Sequence, residues 1–133
     1  MIVDTSAIIA ILKDEPGCVE YETIMTASRA PLYMSAGTYL ETAIVADAFR
    51  QNQTLVDALD NLISNFHLNI VPVTQAQARI ARQAYQTYGR GSGHKAQLNF
   101  GDCFAYALAK DMGNALLFKG NDFTHTDVEA ALP

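Results

Sequence analysis

Four carboxylates in this sequence stand where a carboxylate is costly or conspicuous. Asp4 follows the apolar pair Ile2–Val3, and Glu41 lies among Tyr39, Leu40 and Ala43. Asp102 is flanked by Phe100, Cys103 and Phe104, and Asp122 sits in the polar run GNDFTHTD. Burying a carboxylate is unfavourable unless it is paired, hydrogen-bonded or bound to a metal. If such groups converge they repel, by about 4 kcal/mol for a pair about 4 Å apart at an effective dielectric of about 20. Convergence survives when a cation sits among them, or when some keep their protons. A donor set made only of oxygen suits Mg²⁺ or Mn²⁺ better than zinc. No His-x-x-x-His spacing points to zinc.

Each acid also admits a purely structural role. Asp4 could be a helix N-cap. TYLE at 38–41 fits a capping box, with Glu41 reaching back to Thr38. Asn99 and Asp102 repeat that spacing, and an acid in a first turn suits the helix dipole. Asp122 could be a turn residue. Taken together, the apolar surroundings of Asp4, Glu41 and Asp102 go beyond what a cap requires.

The elements that must position these residues can be read from the hydrophobic pattern. MIV predicts a buried first strand, followed by a short helix through Ile8, Ile9 and Leu12. Pro16 suits the start of a second helix over 17–28. APLYMS predicts a second strand near 31–35. A helix over 38–51 follows, with Leu40, Ile44, Val45, Ala48 and Phe49 on its apolar side. Another covers 53–65, with Leu55, Leu59, Leu62, Ile63 and Phe66 at helical spacing. HLNIVPV predicts the third strand, and helix 74–88 turns Ile80, Ala81, Ala84, Tyr85 and Tyr88 inward. GRGSGHKAQ is a flexible loop by composition. Helix 100–112, a fourth strand at 115–118 and a short turn or edge strand near 127–132 complete the chain.

Strands alternating with helices predict an α/β sandwich with a central, mainly parallel sheet of four to five strands flanked by helices. Ligands of such sheets bind beyond the carboxyl ends of the strands. Asp4, Glu41 and Asp122 fall there by strand order. Asp102 opens the helix before the fourth strand, and spacing alone leaves its placement open.

A length of 133 residues, half of them hydrophobic and 17% charged, predicts one globular domain over 1–133. Cys18 and Cys103, far apart and outside any Cys-x-x-Cys spacing, are expected to be reduced, buried thiols. The first residues lack the basic start of a signal peptide, and no apolar run reaches the length of a membrane span. The expectation is a cytoplasmic protein with no membrane association. The net charge of −5 argues, at first sight, against a nucleic-acid partner.

MIVDTSAIIAIL with the following DEP, then YLETAIV, LNFGDCFAYALAK and LLFKGNDFTHTD, resemble in order and spacing the PIN-domain ribonucleases. More narrowly, they resemble the VapC-type toxins of bacterial toxin–antitoxin pairs. The resemblance implies a three-layer PIN sandwich and an acid cluster that binds Mg²⁺ or Mn²⁺. The family's acids fall on Asp4, Glu41, Asp102 and Asp122, and its supporting hydroxyl on Ser6. Asn121 stands where some relatives carry another acid, which leaves Asp127 as a candidate outer-sphere substitute.

A divalent ion held there would activate water and stabilise charge on an attacked phosphate. Asp4 and Asp102 are the candidates for direct contact, with Glu41 and Asp122 completing the set. Acids gathered around ions no longer repel an RNA substrate, and Arg79, Arg82, Arg90, His94 and Lys95 could hold its backbone. Tyr85 and Tyr88 are expected in the core rather than stacked on bases, and His67 and His125 in structural or exposed positions. The resemblance also implies an antitoxin partner of the VapB type, and the apolar faces of helices 38–51 and 53–65 could serve a homodimer.

Two other enzyme classes fit poorly. A phosphoryl-accepting receiver needs an aspartate ending the third strand, which LNIVPV lacks. A HAD-type phosphatase needs D-x-D-x-T, which DTSAI does not supply. The alternative is a non-catalytic PIN-like module that binds RNA or protein.

Overall fold

Short, mostly apolar runs make the sheet. The computed structural model describes residues 1–48 and 53–132. Strands β1 (Ile2–Val3), β2 (Tyr33–Ser35), β3 (Asn69–Val71) and β4 (Leu116–Leu117) lie in the order β3-β2-β1-β4, all parallel. Ile2 faces both Tyr33 and Leu116, and Val3 faces Leu117. Successive strand residues point to opposite faces, so the two residues of β1 serve two cores. Ile2 and Leu116 join a cluster with Ala84, Leu98, Tyr106 and Leu108. Val3 and Leu117 join another with Ile8, Met34, Leu59 and Leu62. Helices therefore cover both faces, as a parallel sheet requires.

On one side lie α1 (Thr5–Leu12), α2 (Cys18–Ala27), α3 (Ala36–Ala48) and α4 (Gln53–Asn65). On the other lie α5 (Gln75–Tyr88) and α6 (Asp102–Met112). The α/β sandwich expected from the alternation is present. The segment expected as a last turn or edge strand makes one isolated parallel bridge, Ala130 to Leu116, with the Ala131 N–H donating to the Leu116 carbonyl at 2.9 Å. Both cysteines are free and buried.

Three expectations need correction. The face that α3 buries is Thr38, Thr42 and Ala46. Leu40 and Ile44, expected inward, are 59% and 60% exposed, and Ala48 is exposed as well. The small side chains face inward because α3 packs closely on α1 and α6: a Cβ on Gly37 would meet the Phe104 ring at 2.5 Å. Tyr85, also expected inward, is 43% exposed, whereas Tyr88 packs on the core beside Tyr106 and His94. The expected flexible loop is pinned at both ends. The Leu98 N–H donates to the Tyr88 carbonyl at 2.9 Å, the Arg90 N–H to the Leu98 carbonyl at 3.0 Å, and Ala96 and Leu98 are buried. Phe49, the expected end of its helix at 51, and the side chain of Leu55 lie outside the described residues.

Candidate active site

The strand order turns at β1, since β2 and β3 extend the sheet to one side and β4 to the other. The crevice at the carboxyl ends of β1 and β4 is where such a sheet takes a ligand. Asp4 occupies it. Its N–H donates to the Leu117 carbonyl at 2.9 Å, which fastens the residue to the end of β4.

Asp4 is the N-cap of α1, as its position suggested. One carboxylate oxygen, Oδ2, accepts from the Ser6 N–H at 2.9 Å and from the Ser6 hydroxyl at 2.6 Å. The other, Oδ1, is buried and has no hydrogen-bond partner among the described residues. A cap needs only one of these oxygens. With Asp4 just 3% exposed, the orphaned oxygen is an unpaid debt in a protein interior, where buried polar atoms are nearly always satisfied. Burial raises the Asp4 pKa above its ordinary value, the Ser6 bonds oppose the rise, and the nearby Glu41 charge adds to it.

Ser6, expected as a supporting hydroxyl, lies against Asp4. Its hydroxyl donates to Asp4 and also accepts from the Lys119 N–H at 2.9 Å. The loop after β4 is thereby tied to the acid that ends β1.

Glu41 does not form the expected capping box. Because α3 starts at Ala36, Thr38 lies inside the helix and is fully buried, and Glu41 turns toward α1. Its Oε2 accepts from the Thr5 hydroxyl at 2.8 Å, and the Thr42 hydroxyl in turn donates to Thr5 at 3.0 Å. Its carboxylate lies directly over Gly101, where an added Cβ would be 2.1 Å from Oε1. Thr5 is therefore a site residue that the sequence reading passed over. The only signal for it was its place between Asp4 and Ser6.

Asp102 and Asn99 do satisfy each other. The Asn99 N–H donates to Asp102 Oδ2 at 2.6 Å, and the Asp102 N–H donates to Asn99 Oδ1 at 2.9 Å. Burial first, then the charges of Asp4, Asp122 and Glu41, together push the Asp102 carboxyl up to about 7 against the opposing Asn99 bond. Asp102 thus lies within electrostatic reach of the three other acids. Asp122 is exposed in the loop after β4.

The fit to a divalent cation can be judged from the donors. All are oxygen, one is buried and orphaned, and none of the four acids has a cationic side-chain partner among the described residues. That chemistry suits Mg²⁺ or Mn²⁺. Among the described residues no three acid, histidine or cysteine side chains are gathered closely enough to form a finished cage. The acids share a field, with Glu41 held aside by Thr5.

Asp127, the candidate substitute, is committed elsewhere. It accepts from the Tyr106 hydroxyl and from Lys110 Nζ, one and two turns along α6 from Asp102. Of the basic residues, Arg82 lines a groove of about 240 Å³ with Tyr85, Phe100 and Cys103. Arg79 is exposed on the same helix, and Arg90 and Lys95 are exposed on the 89–97 loop. A second, apolar groove of about 400 Å³ borders Glu41 and is lined by Leu40, Ile44, Phe100 and Phe104. Phe100, on the rim of both grooves, is 77% exposed.

Residues 1–129 match the PIN domain family. The chain is 53% identical to the ribonuclease VapC28 of Mycobacterium tuberculosis, covering 99% of this chain and 98% of that protein. It is 47% identical to ribonuclease VapC30 of the same species, over the full length of both. Among solved structures, the Mycobacterium tuberculosis VapC20 toxin, described as cleaving the sarcin–ricin loop, superposes with a TM-score of 0.71 at 18% identity, covering 96% of this chain and 95% of that one. A toxin–antitoxin complex from Klebsiella pneumoniae gives a TM-score of 0.67 at 21% identity, covering 95% and 92%. Fold, family match and full-length relatives agree: the chain belongs to the PIN-domain family and, within it, to the VapC ribonucleases.

Proposed function

We propose that this ribonuclease is the toxin of a toxin–antitoxin pair and that it cuts RNA internally with the help of Mg²⁺ or Mn²⁺ held by Asp4 and Asp102, with Glu41 and Asp122 completing the set. The observation that carries this reading is the buried, unpartnered Oδ1 of Asp4, one of three acids whose charges act on Asp102. When bound, the ion supplies activation of water and stabilisation of charge on the phosphate. The chain's own residues do the positioning. Ser6 fixes the Asp4 carboxylate through Oδ2 and leaves Oδ1 without a hydrogen-bond partner among the described residues. Thr5 holds Glu41 over Gly101, where it can orient water or move inward. Asn99 fixes Asp102. Water, not the ribose 2′-hydroxyl, is the attacking group, so the products carry 5′-phosphate and 3′-hydroxyl ends.

Arg82, on the groove that Phe100 and Cys103 also line, and the exposed Arg79, Arg90 and Lys95 contribute phosphate contacts without base choice. The partner is a VapB-type antitoxin that covers the acids and sets a basic side chain over them. The solved toxin–antitoxin neighbour from Klebsiella supports that kind of partner. The exposed Leu40, Ile44 and Phe100 form the contact of a homodimer, since single-domain surfaces rarely leave large neighbouring apolar side chains uncovered. An RNA substrate places the protein in the cytoplasm, and no helix among the described residues is long and apolar enough to cross a membrane.

The test is digestion of total RNA by wild type and Asp4→Asn, with end mapping. Mg²⁺-dependent cleavage with 5′-phosphate ends, reduced on the order of 100-fold or more in the variant, is expected. Cleavage that persists in EDTA, or equal activity of the two proteins, contradicts the reading.

A further inference from the structure

A cavity of about 420 Å³ lies between α2 and the loop after β4, apart from the acids but next to one of them in sequence. Glu20, Tyr21, Phe118, Asn121, Phe123 and Thr124 line it. Asn121 and Phe123 flank Asp122, so the loop that carries the acid also forms the cavity wall.

That wall is held in place. Phe123 is buried and stacks at a tilt on Phe118, with ring centroids 5.0 Å apart. The Lys119 N–H donates to Ser6, and Lys119 Nζ pairs with Glu15 in the segment leading into α2. Gly120, at φ +96, gives the loop its sharp reversal in a region other residues rarely adopt. The Thr124 N–H donates back to the Asn121 carbonyl at 3.2 Å and closes the turn.

The lining combines two chemistries. Tyr21 and Phe118, both half-buried, offer aromatic surface. Glu20 and Asn121 are exposed, and neither side chain has an ion-pair or hydrogen-bond partner among the described residues. Unpaired RNA bases are bound in this way, stacked on aromatic rings and read by hydrogen bonds along the Watson–Crick edge. A carboxylate only accepts, and an amide can donate. Guanine presents two adjacent donors, N1–H and the N2 amino group, beside the O6 acceptor. Adenine and cytosine place an acceptor where the carboxylate would sit, and uracil offers only one donor there.

We propose that this cavity is a nucleobase subsite, resting on the ribonuclease reading above, in which Glu20 and Asn121 select guanine next to the phosphate that is cut. Glu20 accepts from N1–H and the N2 amino group, Asn121 donates to O6, and Tyr21 supplies the stacking surface. An RNA strand with its phosphate at Asp4 and Asp102 crosses the Asp122 loop to place a neighbouring base in the cavity.

Two experiments test this. In the first, wild type, Glu20→Ala and Asn121→Ala digest an RNA pool of random sequence, and the cut sites are aligned. Guanine is expected at one fixed offset from the cut, enriched about tenfold or more over cytosine, with the enrichment falling toward background in both variants. Cleavage with no base enriched at any fixed offset, or enrichment that both variants retain, overturns the proposal. The second experiment does not depend on cleavage. Guanosine and cytidine are titrated separately into the wild-type protein without divalent ions, and the backbone amides are followed by NMR. Guanosine is expected to shift Tyr21 and Asn121, and cytidine to leave them in place; equal effects, or none, overturn the proposal. A protein that cuts no RNA but binds guanosine there refutes the ribonuclease reading and leaves the base site standing.

Discussion

At the scale of the residue, two neighbouring hydroxyls decide how the acids are presented. Ser6 engages one oxygen of Asp4, and Thr5 engages one oxygen of Glu41. Each carboxylate is thus oriented without being neutralised. The cost appears in Asp102, which in the folded chain keeps its proton up to about pH 7, while the same group in an unfolded chain loses it near the ordinary 3.8. Folding therefore takes up a proton between those values. The stabilisation that results is complete below the unfolded pKa and is lost as pH rises through the folded one. Asp4 is shifted in the same direction. In EDTA the melting temperature should fall from pH 5 to pH 8, with a smaller fall in Asp102→Asn. Excess Mg²⁺ should reduce the fall in wild type, because an ion that binds only the native state stabilises it by mass action. A wild-type melting temperature that rises over this range in EDTA would refute the assignment.

At the scale of the element, the site depends on helices that approach closely where side chains are small. Gly101 leaves room for the Glu41 carboxylate, and a Cβ there would collide with its oxygens. The colliding atoms are the far end of a flexible side chain, so Gly101→Ala should displace Glu41 without unfolding the protein. Circular dichroism should show native helix content, while RNA cleavage should drop about tenfold or more, as for loss of a supporting contact to a metal site. Unchanged cleavage would show that Glu41 does not act from this position. The same close approach explains what the sequence concealed. The sheet, its order of elements and the cap at Asp4 follow from short apolar runs and local spacing, which are visible in one dimension. The buried face of α3 is Thr38, Thr42 and Ala46, so hydrophobicity alone pointed to the opposite, exposed face. Glu41 matched a capping box because the helix was expected to begin two residues later than it does. Its actual donor, Thr5, lies 36 residues away in sequence, beyond the reach of any local pattern.

At the scale of the whole molecule, the net charge of −5 and the exposed apolar side chains are two aspects of one arrangement. Among the described residues, Arg79, Arg82, Arg90 and Lys95 make no ion pair with Asp4, Glu41, Asp102 or Asp122. Leu40, Ile44 and Phe100 line the groove that borders Glu41 and bury little in the monomer. Substituting Leu40→Arg together with Ile44→Asp should convert a dimer to a monomer in sedimentation experiments while costing the monomer less than about 1 kcal/mol, since exposed positions carry little core packing. A wild-type protein that sediments as a monomer at all concentrations would remove the homodimer from the account. The four acids come from separate parts of the chain: the end of β1, the first half of α3, the start of α6 and the loop after β4.

The claim on which the account rests is that these separated acids hold one kind of divalent ion together. Titration of Mn²⁺ into wild type, Asp4→Asn and Asp102→Asn, followed by calorimetry, measures this directly. Binding by wild type that weakens at least about tenfold in each variant is the expected result. Equal Mn²⁺ affinity in all three proteins would contradict it.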